Sequence, residues 1–354
     1  MSNEIRLLIG AGQNKIDYVR KFSEMLQKQG VNCKLVIDVE ICNGFPSKEV
    51  VQWLRPYNKF NELIKQYKPD AVFVDRQVHF GLAAVKSKLP LFVQLRGDYW
   101  SELKWAKETV HSSLKSHFVL WLRSRIAEQC FIGATMILPF SEYLSKIIKS
   151  HYPDKPTMVF QDGLDLPYWH RTDELELKHP CVGLLQNASI WGKTKEMLTL
   201  TKVLEALPQV TFYWAGDGIY KDQILSVLGK YENFKWLGKL SYPDQVRQFL
   251  SSIDVYALLT GYDTFGITVV EAEIMKIPVI ATNVGGTPET MIENKTGFLV
   301  KQGDHKELIE KITSLLNDQK LAKSMGEAGH VFAAENFSWE KTTEKFVTNL
   351  KSLI

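Results

Sequence analysis

Two carboxylates, Asp263 and Glu271, stand with seven residues between them in the apolar segment GYDTFGITVVEAEIMKIPVIATNVGGTPE, across a Phe265-Gly266 step. Carboxylates accept hydrogen bonds from pairs of hydroxyls, so one acid beside a phosphate and another two turns along a helix suit a nucleotide with a sugar attached. The glycine lets backbone approach a ligand closely. A helix beginning there presents N–H groups and the positive end of its dipole, which is where a phosphate binds. On that helix Thr268, Glu271 and Met275 share one face. The plain alternative has Asp263 capping the helix and Glu271 solvated, and spacing alone leaves both open.

The elements around this segment must place it. The first half alternates short apolar runs (IRLLIG, CKLVIDV, DAVFVD, LPLFVQL, TMILPF) with helical spacing, as in Ile16, Val19, Phe22, Met25 and Leu26 before Gly30. The second half repeats the pattern with CVGLLQN, VTFYWAG, NFKWLG, DVYALLT and IPVIATN as strands. Such alternation predicts α/β units with parallel sheets, and in an open sheet of this kind ligands sit beyond the carboxyl ends of the strands. The loop after DVYALLT, which holds Asp263, is such a place.

At 354 residues the chain is long enough for two domains. The segment FQDGLDLPYWHRTDELELKHP, with no steady period, reads as the linker. The expected domains are 1–165, 166–335 and a helix over 336–354 that could cap either, with a return to the first domain as the expectation. A hydrophobic share of 45% and a charged share of 23% exclude a disordered or fibrous protein. The net charge of +3 divides into +8 over residues 1–160 and −5 over the rest. The opening MSNEIRLLIG lacks a basic start and a long apolar run, which predicts a cytoplasmic chain without a signal peptide. Cys33, Cys42, Cys130 and Cys181 form no C-x-x-C pair and are expected free and reduced, with neither a disulfide framework nor a metal site.

DTFGITVVEAEIMKIPVIATNVGGTPETMIENKTGFLV resembles the signature of retaining glycosyltransferases of family 4, also called glycosyl transferases group 1. SEYLSKIIKS, VFQDGLDLPYWH, VTFYWAGDG and NFKWLGKLSYPDQVRQFLSSIDVYALLT fall in that family's order and approximate spacing. The resemblance implies the GT-B architecture, two facing Rossmann-like doubly wound domains with a cleft between them. It also implies transfer of a sugar from a nucleotide-sugar (UDP- or GDP-sugar) to a hydroxyl acceptor, without a metal or other cofactor. Asp263 matches the acid that holds the donor sugar and Glu271 the acid that binds the ribose. Phe265, Gly266, Ile267 and Thr268 match the backbone that meets sugar and diphosphate. Lys193, in LLQNASIWGKTKEM, matches the lysine that offsets charge on the leaving diphosphate.

Three positions depart from that family's pattern. Asn187 stands where the family has an arginine, with Lys195 as a substitute or an exposed helix residue. VQLRGDYWSE carries Arg96 and Asp98 where a histidine is frequent; they are expected to contact phosphate and a hydroxyl, against the alternative of a surface ion pair with each other. Asp263 is one C–C bond shorter than the usual glutamate. Near the amino terminus, IGAGQNKIDYV puts Gly10 and Gly12 between strand and helix without the full G-x-G-x-x-G spacing, so Gly12 is expected as a cleft residue only. His79, in DRQVHFGLAAV, is an acceptor contact or a structural histidine. In WSELKWAKETVHSSLKSHFVLWLRSRIAEQC, the stripe Leu114, Phe118, Leu122 and Ile126 is ringed by Trp105, Trp121 and basic residues. It reads as a sheet-packed helix or as one that meets an anionic membrane at its inner face. Two rival functions stand beside the glycan-, glycolipid- or polysaccharide-building transferase: a nucleotide-sugar 2-epimerase, and a catalytically weakened nucleotide-sugar-binding subunit.

Overall fold

The computed structural model describes residues 4–47, 53, 55–109 and 114–354. The chain divides into two compact units, one of residues 1–163 with 339–354 and one of residues 164–338. Each is an open α/β structure on a parallel sheet.

The first unit carries β1 (Ile5–Ala11), β2 (Val31–Ile37), β3 (Ala71–Val74), β4 (Leu91–Leu95) and β5 (Met136–Pro139), in spatial order β2-β1-β3-β4-β5. Successive side chains of a strand point to opposite faces, and both faces of this sheet are covered. Leu7, Ile9 and Ala11 pack with Phe22, Phe73 and Phe92 on one face, while Leu8 packs with Val72, Val74, Val93 and Phe131 on the other. The last helix, Trp339–Leu353, belongs to the first face: the Phe346 ring lies 5.2 Å from Phe22, 5.9 Å from Phe73 and 5.5 Å from Phe92. Gly163 allows that return, since a Cβ there would stand 2.3 Å from the Trp339 backbone. Ile354, four residues beyond the buried Leu350, is exposed.

The second unit carries β6 (Cys181–Leu185), β7 (Thr211–Ala215), β8 (Phe234–Gly238), β9 (Val255–Leu258), β10 (Val279–Thr282) and β11 (Gly297–Val300), in order β11-β10-β9-β6-β7-β8. The chain builds outward from β6 through β7 to β8, then returns to β9 on the other side of β6. That reversal is a topological switch point, where the loops after two adjacent strands diverge and leave a crevice. In the first unit the same reversal falls between β1 and β3.

The helix Leu114–Gly133 packs through Leu120, Ala127, Cys130 and Phe131, which are buried, and not through the expected stripe. Phe118 is 54% exposed and Trp121 52%, their rings stacked at 5.9 Å. The side chain of Leu114 and residues 110–113 lie outside the described residues.

Candidate functional site

The switch point of the second unit collects the residues singled out in its sequence. The loop after β6 leads to Lys193, and the loop after β9 leads to Asp263; because β6 and β9 are neighbours, the two side chains meet. Lys193 Nζ stands 3.5 Å from Asp263 Oδ1 and 5.4 Å from the centre of the Tyr262 ring. The loops are also tied through backbone, the Gly261 N–H donating to the Lys193 carbonyl at 3.0 Å.

Asp263 turns its carboxylate into its own loop, where Oδ1 accepts the Thr264 N–H at 2.8 Å. Its carbonyl accepts the Gly286 N–H at 3.0 Å, and a Cβ on Gly285 would lie 1.9 Å from that same oxygen. Gly285 has φ +56, so both its conformation and its surroundings call for glycine. The loop is therefore held in place by its neighbour after β10.

Gly266 has φ +92 and starts the helix Ile267–Ile274; having no side chain, it leaves the helix N-terminus without a side-chain cap. Phe265 is buried, with its ring against Phe337 at 5.5 Å. Behind the helix start, the Tyr256 hydroxyl donates to Thr268 Oγ1 at 2.6 Å.

Glu271 is 2% exposed, which rules out the solvated alternative. Burial pushes its carboxyl up to about 8, against a smaller opposing effect of the Tyr242 hydroxyl. Two residues on, Glu273 is also buried, and no hydrogen bond of ordinary geometry reaches either of its oxygens among the described residues. Burial lifts it to about 9, with a weaker opposite influence of Thr296. Glu273 escaped notice in the sequence because an E-x-E pair on a helix reads as one inward and one outward residue. Asn187 and Lys195 are both exposed.

In the first unit, the switch between β1 and β3 places the Gly12 N–H 3.2 Å from Asp75 Oδ1. A Cβ on Gly10 would meet the Phe80 ring at 2.5 Å, and one on Gly12 would meet Arg76 Cζ at 2.9 Å. Both glycines thus have packing reasons, and Arg76 is itself fixed by two 2.7 Å bonds to the buried Asp38. Arg96 does not pair with Asp98. Its guanidinium makes two bonds to Asp162, donates to Gln94 Oε1 at 3.0 Å and lies over the Phe140 ring. Burial opposes its charge, but the Asp162 carboxylate outweighs that and raises the Arg96 pKa. Lys15 nearby is pulled down by burial and by Arg96. Asp98 is buried and caps the helix Tyr99–Thr109, its Oδ1 accepting the N–H groups of Trp100 and Ser101 at 3.2 Å each. His79 is held to the Phe45 carbonyl at 2.9 Å through Nε2, and burial lowers its pKa. Asp75, Asp162 and Lys15 lie in stretches quoted from the sequence but were not singled out there; the fold of the first unit brings them beside Gly12 and Arg96.

Residues 186–331, all within the second unit, match the family glycosyl transferases group 1. The chain is 36% identical over 107 residues to the capsular polysaccharide biosynthesis glycosyltransferase CapM of Staphylococcus aureus, covering 29% of this chain and 28% of that one. It is 30% identical over 169 residues to the GDP-mannose-dependent monoacylated alpha-(1-6)-phosphatidylinositol monomannoside mannosyltransferase of Corynebacterium glutamicum, covering 46% and 44%. The matches thus span less than half the length of these curated relatives. The sucrose-phosphate synthase structure from Thermosynechococcus elongatus superposes with a TM-score of 0.76 over 99% of both chains at 16% identity, a likeness of fold. The chain thus has two Rossmann-like parallel-sheet units of the GT-B kind, and residues 186–331 in the second of them are similar to the glycosyl transferases group 1 family.

Proposed function

We propose that the chain is a retaining glycosyltransferase that moves a hexosyl group from a UDP- or GDP-sugar to a hydroxyl acceptor in glycan, glycolipid or cell-envelope polysaccharide synthesis. One observation carries this reading: the switch point between β6 and β9 brings Lys193, Asp263, the uncapped helix start at Gly266 and the buried Glu271 to one end of one sheet. In it, the donor diphosphate lies against the N–H groups of Ile267 and Thr268, where the helix dipole favours negative charge. Glu271 accepts the ribose hydroxyls, Asp263 faces the sugar, and Lys193 offsets charge growing on the leaving diphosphate.

That last interaction strengthens as the glycosidic C–O bond breaks, so it lowers the barrier and does not merely bind substrate. The departing phosphate oxygen takes the bonding electrons and then the proton of the acceptor hydroxyl, which attacks from the same face. No protein base, metal ion or cofactor enters this scheme. Gly12, Arg96 and Asp98, in the first unit, are assigned to the acceptor side and to phosphate. Asp98 acts there chiefly through the helix it caps, and Asn187 contributes at most a hydrogen bond where an arginine would bring charge. Phe118 and Trp121, exposed beside Arg123 and Arg125, support peripheral contact with an anionic membrane at the cytoplasmic face.

The test is incubation of purified chain with UDP- and GDP-sugars and hydroxyl acceptors, reading released nucleotide and the anomeric configuration of the product. Retained configuration, with a rate about 100-fold lower in Lys193→Ala, is expected. Donor binding without turnover would overturn the enzyme reading in favour of a binding subunit, and inversion would overturn the mechanism.

A further inference from the structure

The amino end of the same β6/β9 pair, opposite the Lys193 and Asp263 loops, holds a second group of chemically able side chains. Val182 is level with Val255 and Gly183 with Tyr256. One step back along this parallel register, Cys181 comes level with Asp254, and His179 lies two residues upstream of Cys181. A histidine and a cysteine spaced H-x-C are thus joined by an aspartate from a distant strand. His179 Nδ1 is 2.8 Å from Asp254 Oδ2 and 3.6 Å from Cys181 Sγ, and the three donor atoms all lie within 4.8 Å of one another. Tetrahedral zinc, with Zn–S near 2.3 Å and Zn–N near 2.0 Å, needs nitrogen and sulfur about 3.5 Å apart. The observed pair already has that spacing, and the N···O pair need open by only about half an ångström to reach its own tetrahedral edge.

We propose that His179, Cys181 and Asp254 form a binding site for one borderline-soft divalent cation of the zinc class, with the fourth position left to water. The donors select the ion: a thiolate and an imidazole suit zinc or cobalt and are poor partners for magnesium or calcium. Cys181 is buried, whereas the His179 and Asp254 side chains are 47% and 39% exposed, so the cation enters from the solvent side. A pocket of about 660 Å³ lined by His179, Asp254, Arg171 and Lys276 provides the approach. Both of those cations already have acids beside them, Arg171 with Glu174 at 3.5 Å and Lys276 with Glu327 at 2.9 Å.

On binding, the Cys181 thiol releases its proton to solvent and its sulfur binds as the thiolate. His179 carries its proton on Nε2 and gives the Nδ1 lone pair. Asp254 Oδ2 exchanges its bond from His179 for the cation while still accepting the Cys181 N–H, now at 2.8 Å. The cation would tie β6 to β9 at the end away from the proposed donor. Its expected effect is on stability, since a ligand of the folded state alone shifts the unfolding equilibrium.

Cobalt(II) is the probe, titrated into chelator-treated full-length chain at about pH 8, where proton competition for the thiol is reduced. Expected are a thiolate-to-cobalt charge-transfer band and tetrahedral d–d bands that saturate at one equivalent and bleach with zinc. Cys181→Ser should remove the charge-transfer band, and Cys33→Ser should leave it. His179→Ala alters an exposed side chain and should weaken cobalt binding at least about tenfold with the fold intact. Zinc should raise the Tm of the wild type and leave that of His179→Ala unchanged. Absence of the charge-transfer band under excess cobalt, or its survival in Cys181→Ser or at full affinity in His179→Ala, would overturn the site.

Discussion

Glu271 and Glu273 lie one helical step apart, and both are buried, yet their surroundings give them different work. Glu271 stands on the helix that begins at Gly266, with Tyr242 beside its carboxyl, as a ligand-binding acid would. Glu273 has Thr296 beside it, which opposes burial only weakly, and its carboxyl, pushed up to about 9, is neutral in the folded chain at neutral pH. The folded state therefore keeps a proton that the unfolded state has lost above about pH 4.5. The stabilisation from that proton is full below the unfolded value and drains away as pH rises towards 9. Glu273→Gln should flatten the fall of Tm between pH 6 and 9 and raise Tm at the alkaline end, removing up to about one proton from the unfolding linkage. Calorimetry across that range checks it, and an unchanged slope would mean that Glu273 ionises freely. Residue types alone told which acids could bind hydroxyls. They could not tell which carboxylate is enclosed on all sides, because that depends on the packing of the helix Gln319–Asn336, whose Gly329 lies against Glu273.

At the scale of elements, the strands were readable because most are short apolar runs between turn residues, buried on both faces; β8, with Lys235, Trp236 and Leu237 exposed, is an exception. Among the described strands, Gly297–Val300, read in the sequence as part of a motif, was not recognised as a strand. The order of the strands was not readable. That order makes neighbours of the loops after β6 and β9, and those of β1 and β3, so it creates the candidate site. It also brings His179, Cys181 and Asp254 together, 73 residues separating the last two, where spacing rules for metal ligands look for near neighbours in sequence. The helix Leu114–Gly133 shows the opposite failure: an i, i+4 stripe was legible, but Phe118 on that stripe faces outward. The loop that carries Asp263 depends on Gly285, whose φ of +56 and 1.9 Å Cβ approach leave no room for a side chain. Gly285→Ala should cost about 1–2 kcal/mol from the left-handed backbone alone. It should also displace the Asp263 carbonyl, weakening nucleotide-sugar binding at least tenfold by titration. A variant that loses stability but keeps donor affinity would show that the Asp263 loop is not where the donor lies.

For the whole molecule, the asymmetry of charge now has a location. The exposed Lys104, Lys107, Lys115, Arg123 and Arg125 accompany the stacked Phe118 and Trp121 in the first unit. Among the described residues no helix is long and apolar enough to cross a membrane. Surface attachment through this face predicts co-sedimentation with anionic liposomes at low salt, lost at high salt and in Trp121→Ala, with neutral liposomes left unbound. Equal binding to neutral liposomes, or none to anionic ones, would remove the membrane from the account. Tm measured with UDP-, GDP- and ADP-sugars, on the wild type and on Glu271→Ala, tests the central claim most directly. A rise of several degrees with one nucleotide class, absent in the variant at equal concentration, is the predicted result, because a ligand stabilises the state that binds it. A rise of the same size in Glu271→Ala, or none with any nucleotide-sugar, would contradict a donor site built on Asp263, Gly266 and Glu271.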